Sequence, residues 1–476
     1  MNMKRPNIIL INCDDLGYGD LSCYGSKLNR TPHLDKLASE GIRMTDFYMA
    51  SAVCSPSRGA MMTGCIPNRI GFDDFDGQWV LFPGMAQGLN PNEKTVAKYL
   101  KDLGYNTALV GKWHCGDQKE FLPTRHGFDQ YFGIPYSNDM GRQLMGPNRV
   151  KKVAEKLGLK ESEVDRRQGI SNPPLPLLEN EEVLQEQPDQ AALTERYVQE
   201  AVRFIKTNQD QPFFLYFAHM YVHLPIYVPK PYLDRSQNGA YGAAVEHVDW
   251  SIGVLMDTLK KLDLEEDTLV IFTSDNGSKG PKWGGSNDPC RGNKGQTWEG
   301  GMRLPCIARW KGAIEPNQVW EHTCASIDFL PTFVELAGGE LDTSIKIDGK
   351  SFAPSLRGET IEHRDEYPFY HRGTLEALRV GDWKLHFKKN KDDCNELYNL
   401  RDDVGEENNV FDANPEKVVE ILTRAEVWRK ALGDAALDIK GDERRPIGEV
   451  KDPKPLTEFD ENHPYYLAEY DLSEGG

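Results

Sequence analysis

Two short apolar segments, far apart in the chain, each end in a group of acidic and amide residues. Residues 8–11 are all aliphatic, and Asp14 and Asp15 follow them closely. Residues 269–272 are also apolar and are followed by a Thr-Ser-Asp-Asn sequence. Short apolar runs of this kind, bounded by turn residues, are typical of strands buried on both faces of a sheet. Because open α/β sheets place their sites at the carboxyl ends of the strands, we expect these acidic groups to meet at one edge.

Helical patterns alternate with further short apolar segments along most of the chain. Apolar spacing and capping residues predict helices over residues 31–38, 95–103 and 245–262. Strands are predicted at residues 107–110 and 213–217. This alternation favours an α/β fold, with helices packed against a central sheet.

The pattern changes in the last quarter of the chain. Two short strand-like segments, residues 376–380 and 383–387, precede a helical segment at residues 415–432. We therefore predict a larger first domain over residues 1–362 and a smaller C-terminal α+β domain with its tail over residues 363–476.

Two segments fit neither pattern. Residues 140–200 are polar, rich in Glu and Lys, and include a Pro-Pro pair, which predicts an insertion or lid rather than part of the core sheet. The tail from Gly441 onward is charged and contains prolines, and we expect it to lie over the surface.

Charge and cysteine content exclude several classes of protein. The formal net charge is −18, from 74 acidic and 56 basic side chains, which argues against a nucleic-acid partner or a polybasic membrane-surface protein. No apolar run approaches the length of a bilayer-spanning helix, and the first residues lack the apolar core of a secretory signal. The nine cysteines include no CxxC pair. We therefore expect a cytoplasmic protein without a disulfide framework, a zinc site or a membrane partner.

The most specific sequence in the chain is the segment of residues 54–64, Cys-Ser-Pro-Ser-Arg-Gly-Ala-Met-Met-Thr-Gly. Taken alone, it predicts a helix that starts near a buried Cys54, is capped by Ser55 or Ser57, and ends at Gly64. The whole segment, however, resembles the sulfatase signature C-x-P-S-R-x-x-x-T-G, with every defining position matched.

The resemblance implies that Cys54 is oxidised after synthesis to Cα-formylglycine by a formylglycine-generating maturase. One hydroxyl of the hydrated aldehyde would attack sulfur, giving a covalent sulfo-enzyme, and the other would expel sulfate as the aldehyde re-forms. A thiol could do neither. At a helix start, backbone N–H groups and the helix dipole favour sulfate oxygens. Arg58, one turn further on, can neutralise charge and hold the diol oxygens by bidentate hydrogen bonds.

Asp14, Asp15, Asp275 and Asn276 form a second group of candidate residues. Three carboxylates and an amide oxygen are hard ligands that suit Ca²⁺ or Mg²⁺ rather than zinc. Asp and Asn are also common turn residues after strands, so each pair alone is compatible with a purely structural role. The resemblance implies the metal site of the family, with modified Cys54 as a further ligand. The cation would polarise the nucleophilic hydroxyl and bind a sulfate oxygen.

Four basic residues lie in segments similar to other sulfatase motifs. The resemblance implies that Lys112, in Gly-Lys-Trp-His, stabilises the diol or the sulfate, and that His114 accepts the proton when the aldehyde re-forms. It also implies that His223 and Lys294 contact the sulfate ester and assist the leaving oxygen. His219 is interpreted as a neighbouring or structural residue. Taken singly, lysines and histidines at strand ends are more often surface or structural residues.

Residues 133–139 resemble a segment of sulfatases similar to arylsulfatase A and N-acetylgalactosamine-6-sulfatase. That segment lends a serine and an acidic residue to the site, which implies Ser137 and Asp139 as substrate-binding residues. Polar loop residues also occur without any such role.

In all, the resemblance covers roughly residues 6–390 through motifs in the expected order. It implies an alkaline-phosphatase-like α/β sandwich with a large mixed central sheet, then a smaller C-terminal α+β domain with a short antiparallel sheet. The function implied is hydrolysis of a sulfate monoester, in a sulfated small molecule or saccharide, to an alcohol and inorganic sulfate. The alternatives are a phosphonate monoester or phosphodiester hydrolase of the same superfamily, and a non-catalytic binding protein that keeps the fold. The intact Cys54, Arg58 and Asp275 argue against the last of these.

Overall fold

The computed structural model describes most of the chain: residues 5–145, 147–166, 172–359, 364–389 and 392–460, with residues 462 and 470. The predicted boundary between residues 362 and 363 lies outside the described residues. The strands are β1 (Asn7–Cys13), β2 (Ile42–Met44), β3 (Phe47–Tyr48), β4 (Gln87–Gly88), β5 (Asn106–Gly111), β6 (Gln130–Gly133), β7 (Pro176–Glu179), β8 (Glu182–Glu186), β9 (Phe213–Ala218), β10 (Thr268–Ser274), β11 (Cys306–Arg309), β12 (Gln318–Trp320), β13 (Cys324–Ala325), β14 (Glu366–His371), β15 (Thr374–Val380), β16 (Trp383–Lys389), β17 (Asp392–Asn399) and β18 (Gly448–Glu449). The α-helices are α1 (Pro32–Ser39), α2 (Cys54–Thr63), α3 (Val96–Asp102), α4 (Pro147–Leu157), α5 (Leu193–Thr207), α6 (Lys230–Leu233), α7 (Gly239–Lys261), α8 (Glu299–Met302), α9 (Phe329–Leu336), α10 (Ala353–Leu356) and α11 (Pro415–Leu432).

One large mixed sheet forms the centre of the first domain. Its ten strands run in the order β12-β2-β11-β10-β1-β9-β5-β6-β7-β8. The middle of the sheet is parallel, since β1 pairs with both β9 and β10, and β5 continues the parallel run to β6. Antiparallel pairs begin at β11 on one side and at β7 on the other. The large mixed central sheet predicted from the sequence is confirmed.

Both faces of this sheet are covered by helices. Ile8 and Leu10 of β1 pack into a core with residues of α2, α3 and α9. Ile9 and Ile11 point to the opposite face, into a second core with residues of α1, α5 and α7. Burial of both faces explains why β1 is apolar throughout instead of alternating with polar residues.

Part of the segment predicted as an insertion belongs to the sheet. Strands β7 and β8 form an antiparallel hairpin on β6 at the edge of the sheet, so the prediction that residues 140–200 stand outside the core sheet is wrong for these strands. The outer strand β8 is half exposed and mostly polar. An edge strand faces solvent and needs no apolar run, so its sequence carries little strand signal.

A four-stranded antiparallel sheet, β14-β15-β16-β17, forms the second domain. Helix α11 packs its Val418, Ile421 and Ala425 against apolar residues of this sheet. The predicted C-terminal domain with a short antiparallel sheet is confirmed.

Residues 444–449, which follow Gly441, contact the first domain. Strand β18 pairs with β4, and Arg445 makes a two-pronged hydrogen bond to Glu93 at 2.8 Å. Arg444 donates to Asp73 at 2.6 Å. Within the described ranges, no helix has both the length and the apolar character needed to span a membrane.

Candidate active site

The carboxyl ends of β1 and β10 bring the two acidic groups together. Cys13 and Ser274 are register partners, so the residues that follow them lie side by side. The backbone N–H of Asp15 donates to Oδ1 of Asp275 at 3.3 Å, and Nδ2 of Asn276 donates to Oδ1 of Asp15 at 2.7 Å. We predicted that these side chains lie together at one edge of the sheet, and the structure confirms it.

Helix α2 begins at Cys54 and is buried along its whole length. Its N-cap is Val53, which provides no side-chain cap, and the helix ends at Gly64 with φ of 68°. A positive φ at this position suits glycine, which has no Cβ to clash. The thiol of Cys54 points at the acidic group, with Sγ 3.4 Å from Oδ1 of Asp14.

The two serines of the signature do not cap this helix, so that prediction is wrong. Ser57 instead donates to the backbone carbonyl of Asp275 at 2.5 Å, and Ser55 accepts from the backbone N–H of Leu81 at 3.1 Å. Both serines therefore fasten the start of α2 to neighbouring segments. The sequence contains no signal for these partners, because each is distant along the chain.

The guanidinium of Arg58 contacts acids from both strand ends. Its Nε donates to Oδ2 of Asp275 at 2.7 Å, and Nη1 donates to the backbone carbonyl of Lys112 at 2.8 Å. Its Nη2 lies 3.8 Å from Oδ2 of Asp14. The guanidinium is fully buried, so these contacts also position the first turn of α2 against the sheet edge.

Two lysines contact the carboxylates of Asp14 and Asp15. Nζ of Lys112 contacts Oδ2 of Asp14 and donates to Oγ of Ser137 at 2.7 Å. Nζ of Lys294 donates to Oδ2 of Asp15 at 2.9 Å. The predicted serine therefore joins the cluster through a lysine.

These charges control the protonation of the acids. Burial by itself would raise the pKa of Asp14, but nearby cations, led by Lys112, outweigh it and hold that pKa below its ordinary value. The pKa of Asp15 is lowered in the same way, with Lys294 the largest influence opposing burial. The pKa of Asp275 is raised, because burial and the charge of Asp14 outweigh the neighbouring cations.

The surroundings of Cys54 disfavour the ionised form of its thiol. Burial, followed by the charges of Asp14 and Asp275, raises its pKa well above the ordinary value. The thiolate, not the thiol, is the nucleophilic form of cysteine. Without a bound cation, these surroundings therefore favour the neutral thiol, which is a poor nucleophile.

His114 is held as a neutral base. Its Nε2 lies 2.9 Å from the carbonyl of Leu81, which can only accept, so Nε2 carries the proton and Nδ1 has a free lone pair. Nδ1 is buried and makes no hydrogen bond to any described residue. Burial, followed by the nearby charge of Lys112, lowers the pKa of His114 well below its ordinary value.

The two histidines of the His-x-x-x-His segment have different surroundings. Nδ1 of His223 donates to the carbonyl of Leu224 at 2.6 Å, which leaves Nε2 facing the cluster, 3.9 Å from Oδ2 of Asp15. His219 instead contacts Oγ of Ser251, on α7, at 2.9 Å. The structure therefore brings His223, and not His219, to the acidic group.

Asp139 lies close to Ser137 in sequence, in a short 3₁₀ helix over Asn138–Met140. Its backbone carbonyl accepts a hydrogen bond from Nε2 of Gln143 at 3.0 Å. The role of Asp139 in substrate binding stays a prediction.

The donor groups at the sheet edge fit a hard divalent cation. Oδ1 of Asn276 is buried and has no hydrogen-bond partner in the described part of the chain. Ligand atoms of Asp14, Asp15, Cys54 and His223 all lie within 4.8 Å of one another. The carboxylate oxygens of Asp14 and Asp15 and the amide oxygen of Asn276 are hard ligands, which suit Ca²⁺ or Mg²⁺. The group also includes the imidazole of His223, which was not among the metal ligands predicted from the sequence.

Comparison with known proteins agrees with this geometry. The family model described as Sulfatase matches residues 6–339, and the model for the C-terminal part of N-sulphoglucosamine sulphohydrolase matches residues 293–430. Human arylsulfatase A is 39% identical over 396 residues, covering 81% of this chain and 75% of the relative. Steryl-sulfatase of Rattus norvegicus is 37% identical over 434 residues, covering 80% of this chain and 75% of the relative. The crystal structure of Ps i-CgsB in complex with k-i-k-neocarrahexaose superimposes with a TM-score of 0.76 at 30% identity, covering 93% of this chain and 95% of that one. The chain therefore belongs to the sulfatase family and is a sulfuric ester hydrolase, as the sequence predicted.

Proposed function

We propose that this sulfatase cleaves a sulfate monoester to an alcohol and inorganic sulfate with a formylglycine made from Cys54. The surroundings of Cys54 carry this proposal: a buried thiol with a raised pKa, between carboxylates and at the first turn of α2. A neutral thiol cannot supply the nucleophile there. The hydrated aldehyde would supply one hydroxyl for attack on sulfur and a second for release of sulfate.

We also propose Ca²⁺, with Mg²⁺ as the alternative, as the cofactor of this site. Asp14, Asp15, Asp275, Asn276 and the modified residue 54 would hold it, and the buried Oδ1 of Asn276 supports this ligand set. When bound, the cation supplies Lewis acidity that activates a hydroxyl and neutralises sulfate charge.

The remaining residues have roles that their contacts support. Lys294 is a fully charged donor beside Asp15, since burial is outweighed by the nearby acids and its pKa is raised. Together with His223, whose Nε2 faces the cluster, it would bind the sulfate and assist the leaving oxygen. His114 would accept a proton at Nδ1. Lys112 and Arg58 would neutralise negative charge on the sulfate and the nearby carboxylates.

The burial of Cys54 constrains when a maturase can act. Cys54 is 1% exposed, and every residue of α2 is buried. We propose that a formylglycine-generating maturase modifies the chain before it folds, because the folded protein would not present this segment.

For the substrate, we propose a sulfated saccharide or another sulfated small molecule. The complex of Ps i-CgsB with k-i-k-neocarrahexaose supports a saccharide, because that protein is similar to this chain over most of its length.

The test of the nucleophile compares activity with the converted fraction of residue 54. Preparations with different degrees of conversion are assayed on 4-nitrophenyl sulfate, and mass spectrometry of the tryptic peptide between Arg43 and Arg58 measures the converted fraction. Specific activity should rise in proportion to conversion and be negligible without it, because the thiol stays protonated.

Two results would contradict the proposal. Full activity in a preparation whose residue 54 is entirely unmodified would exclude formylglycine as the nucleophile. A kcat/KM for an aryl phosphodiester within about tenfold of that for the aryl sulfate, a difference of about 1.4 kcal/mol, would favour the phosphodiesterase alternative.

Metal binding is expected to stabilise the folded protein. Addition of Ca²⁺ to chelator-treated protein should raise Tm, because a ligand at about 100 times its Kd stabilises by about 2.7 kcal/mol. Asn276→Leu removes a buried oxygen ligand and should reduce the Tm shift and shift the Ca²⁺ titration to higher concentration. No Tm shift with either Ca²⁺ or Mg²⁺ would contradict the proposed site, whatever the activity shows.

A further inference from the structure

A cavity beside Cys54 is shared by the two domains. On one side it is lined by Val53 and Pro56, which flank Cys54 in the chain. On the other side it is lined by His371 and Arg372 at the turn between β14 and β15. Trp79 closes a third side, and 49% of its surface is exposed. The C-terminal domain therefore reaches the region next to the nucleophile position.

The loop that carries Lys294 forms part of the same region. The backbone N–H of Gly295 donates to the carbonyl of Ala52 at 2.8 Å, which ties this loop to the segment before α2. A Cβ on Gly295 would lie 3.0 Å from the ring of Trp79, so the indole packs directly on the loop. The cavity itself has a volume of about 20 Å³, enough for a water molecule, so a larger ligand would lie across its mouth beside the neighbours of Cys54 and Lys294.

Arg372 occupies a backbone conformation that arginine rarely adopts. Arg372 and Gly373 form a two-residue turn, with φ of 45° and 80°, between the paired residues His371 and Thr374. Turns with positive φ at both central residues strongly favour Asn-Gly over sequences with a large first side chain. Strained positions of this kind are concentrated at binding and catalytic sites.

The side chain of Arg372 remains accessible to a ligand. Its Nη2 donates to the carbonyl of Gly77, and its side chain is 32% exposed. Asp74 lies 3.8 Å from it, as a half-exposed surface pair that contributes little. The acid that lines the cavity, Asp73, is paired with Arg444 at 2.6 Å. The guanidinium is therefore the charged group of the cavity that can bind an anion.

We propose that Trp79 and Arg372 form a specificity subsite for the alcohol part of the substrate. The exposed indole receives the face of a ring, and the guanidinium binds a second anionic substituent, a sulfate or carboxylate, on that ring. The substrate class this implies is a saccharide that carries another anionic group beside the scissile sulfate. The inference rests on the proposed function.

The test uses two sugars that differ by one sulfate, N-acetylgalactosamine 6-sulfate and N-acetylgalactosamine 4,6-disulfate, as competitors of 4-nitrophenyl sulfate hydrolysis. Wild-type protein should be half-inhibited by the disulfate at a concentration at least about tenfold lower than by the monosulfate. Arg372→Asn should remove this difference, while kcat/KM for 4-nitrophenyl sulfate stays within about twofold of wild type, because the second anion is absent from that substrate.

Stability separates a binding role from a structural one. Asn-Gly is the preferred sequence for this turn, so Arg372→Asn should keep or raise Tm. Arg372→Gly, which also suits a positive φ, should give the same inhibition pattern. The matched control is Arg401→Asn, which removes an exposed arginine paired with Asp382 in the same domain and should leave the preference for the disulfate intact.

Each outcome has a distinct meaning. Equal inhibition of wild type by the two sugars, or an unchanged preference in Arg372→Asn, would overturn the subsite while leaving the proposed function in place. Failure of fully converted wild-type protein to hydrolyse 4-nitrophenyl sulfate would instead contradict the proposed function.

Discussion

Replacing Cys54 by alanine is expected to lower kcat/KM for an aryl sulfate by at least about 10⁴-fold, because the proposed covalent nucleophile is lost. The fold should be retained. The thiol makes a weak hydrogen bond to Asp14 at 3.4 Å, and Arg58 and Lys112 still neutralise that carboxylate in the variant. The measurement is kcat/KM on 4-nitrophenyl sulfate beside Tm, with the converted fraction of the wild-type protein determined in parallel.

Cys54→Ser is the control for shape and polarity. It keeps a small polar side chain at the start of α2, and it should lose as much activity as Cys54→Ala unless the host converts serine. Mass spectrometry of residue 54 decides whether conversion has occurred. An unconverted variant with kcat/KM within about tenfold of wild type would show that residue 54 is not the nucleophile.

Replacing Lys384 by methionine is expected to destabilise the protein by about 3 kcal/mol, the lower end of the usual cost of removing one member of a buried ion pair, because each acid keeps a second partner. Lys384, on β16, is fully buried, with Nζ 2.8 Å from Glu299 and 3.1 Å from Glu406. The same ammonium donates to the carbonyl of Thr297 at 2.9 Å. Without Lys384, Glu299 keeps Arg303 at 3.2 Å and Glu406 keeps His386 at 2.6 Å, but these two buried carboxylates at the contact between the domains lose the cation that they share. Urea denaturation measures the free energy of unfolding.

The matched control is Lys388→Met on the same strand. Lys388 pairs with Asp393, whose side chain is 80% exposed, and a pair at the surface contributes at most about 1 kcal/mol. A Lys384→Met protein as stable as Lys388→Met would mean that the buried acids of this interface take up protons at little cost.

The strands around the site could be predicted from the sequence because each is a short run of apolar residues followed by polar residues. The predicted segments at residues 107–110 and 213–217 lie within β5 and β9, and α11 has the predicted limits. Helix α7 begins at Gly239, six residues before the predicted start at residue 245. Its first turns are rich in Gly and Ala, which carry no amphipathic pattern. The short strand β11 and the polar edge strand β8 were not predicted, since neither has a distinct periodicity.

For the site, the sequence determined which chemical groups are available and where each lies relative to the strand or helix that carries it. Acids follow the buried strands β1 and β10, and Cys54 and Arg58 are one turn apart, because these relations depend only on residue type and short spacing. Only the tertiary structure decided the partners. Arg58 meets Asp275 across 217 residues of sequence, and Ser57 reaches the carbonyl of the same residue.

The placement of the C-terminal domain beside Trp79 is another result of the tertiary structure. Strand pairing and helix packing set distances between residues that are remote in the chain, and no local pattern of apolar and polar residues encodes them. The sequence by itself therefore determined the family, the large mixed sheet at the centre of the fold and the chemical groups available to the candidate site. Which charges neutralise one another, and which side chains from the second domain lie near Cys54, was decided by packing alone.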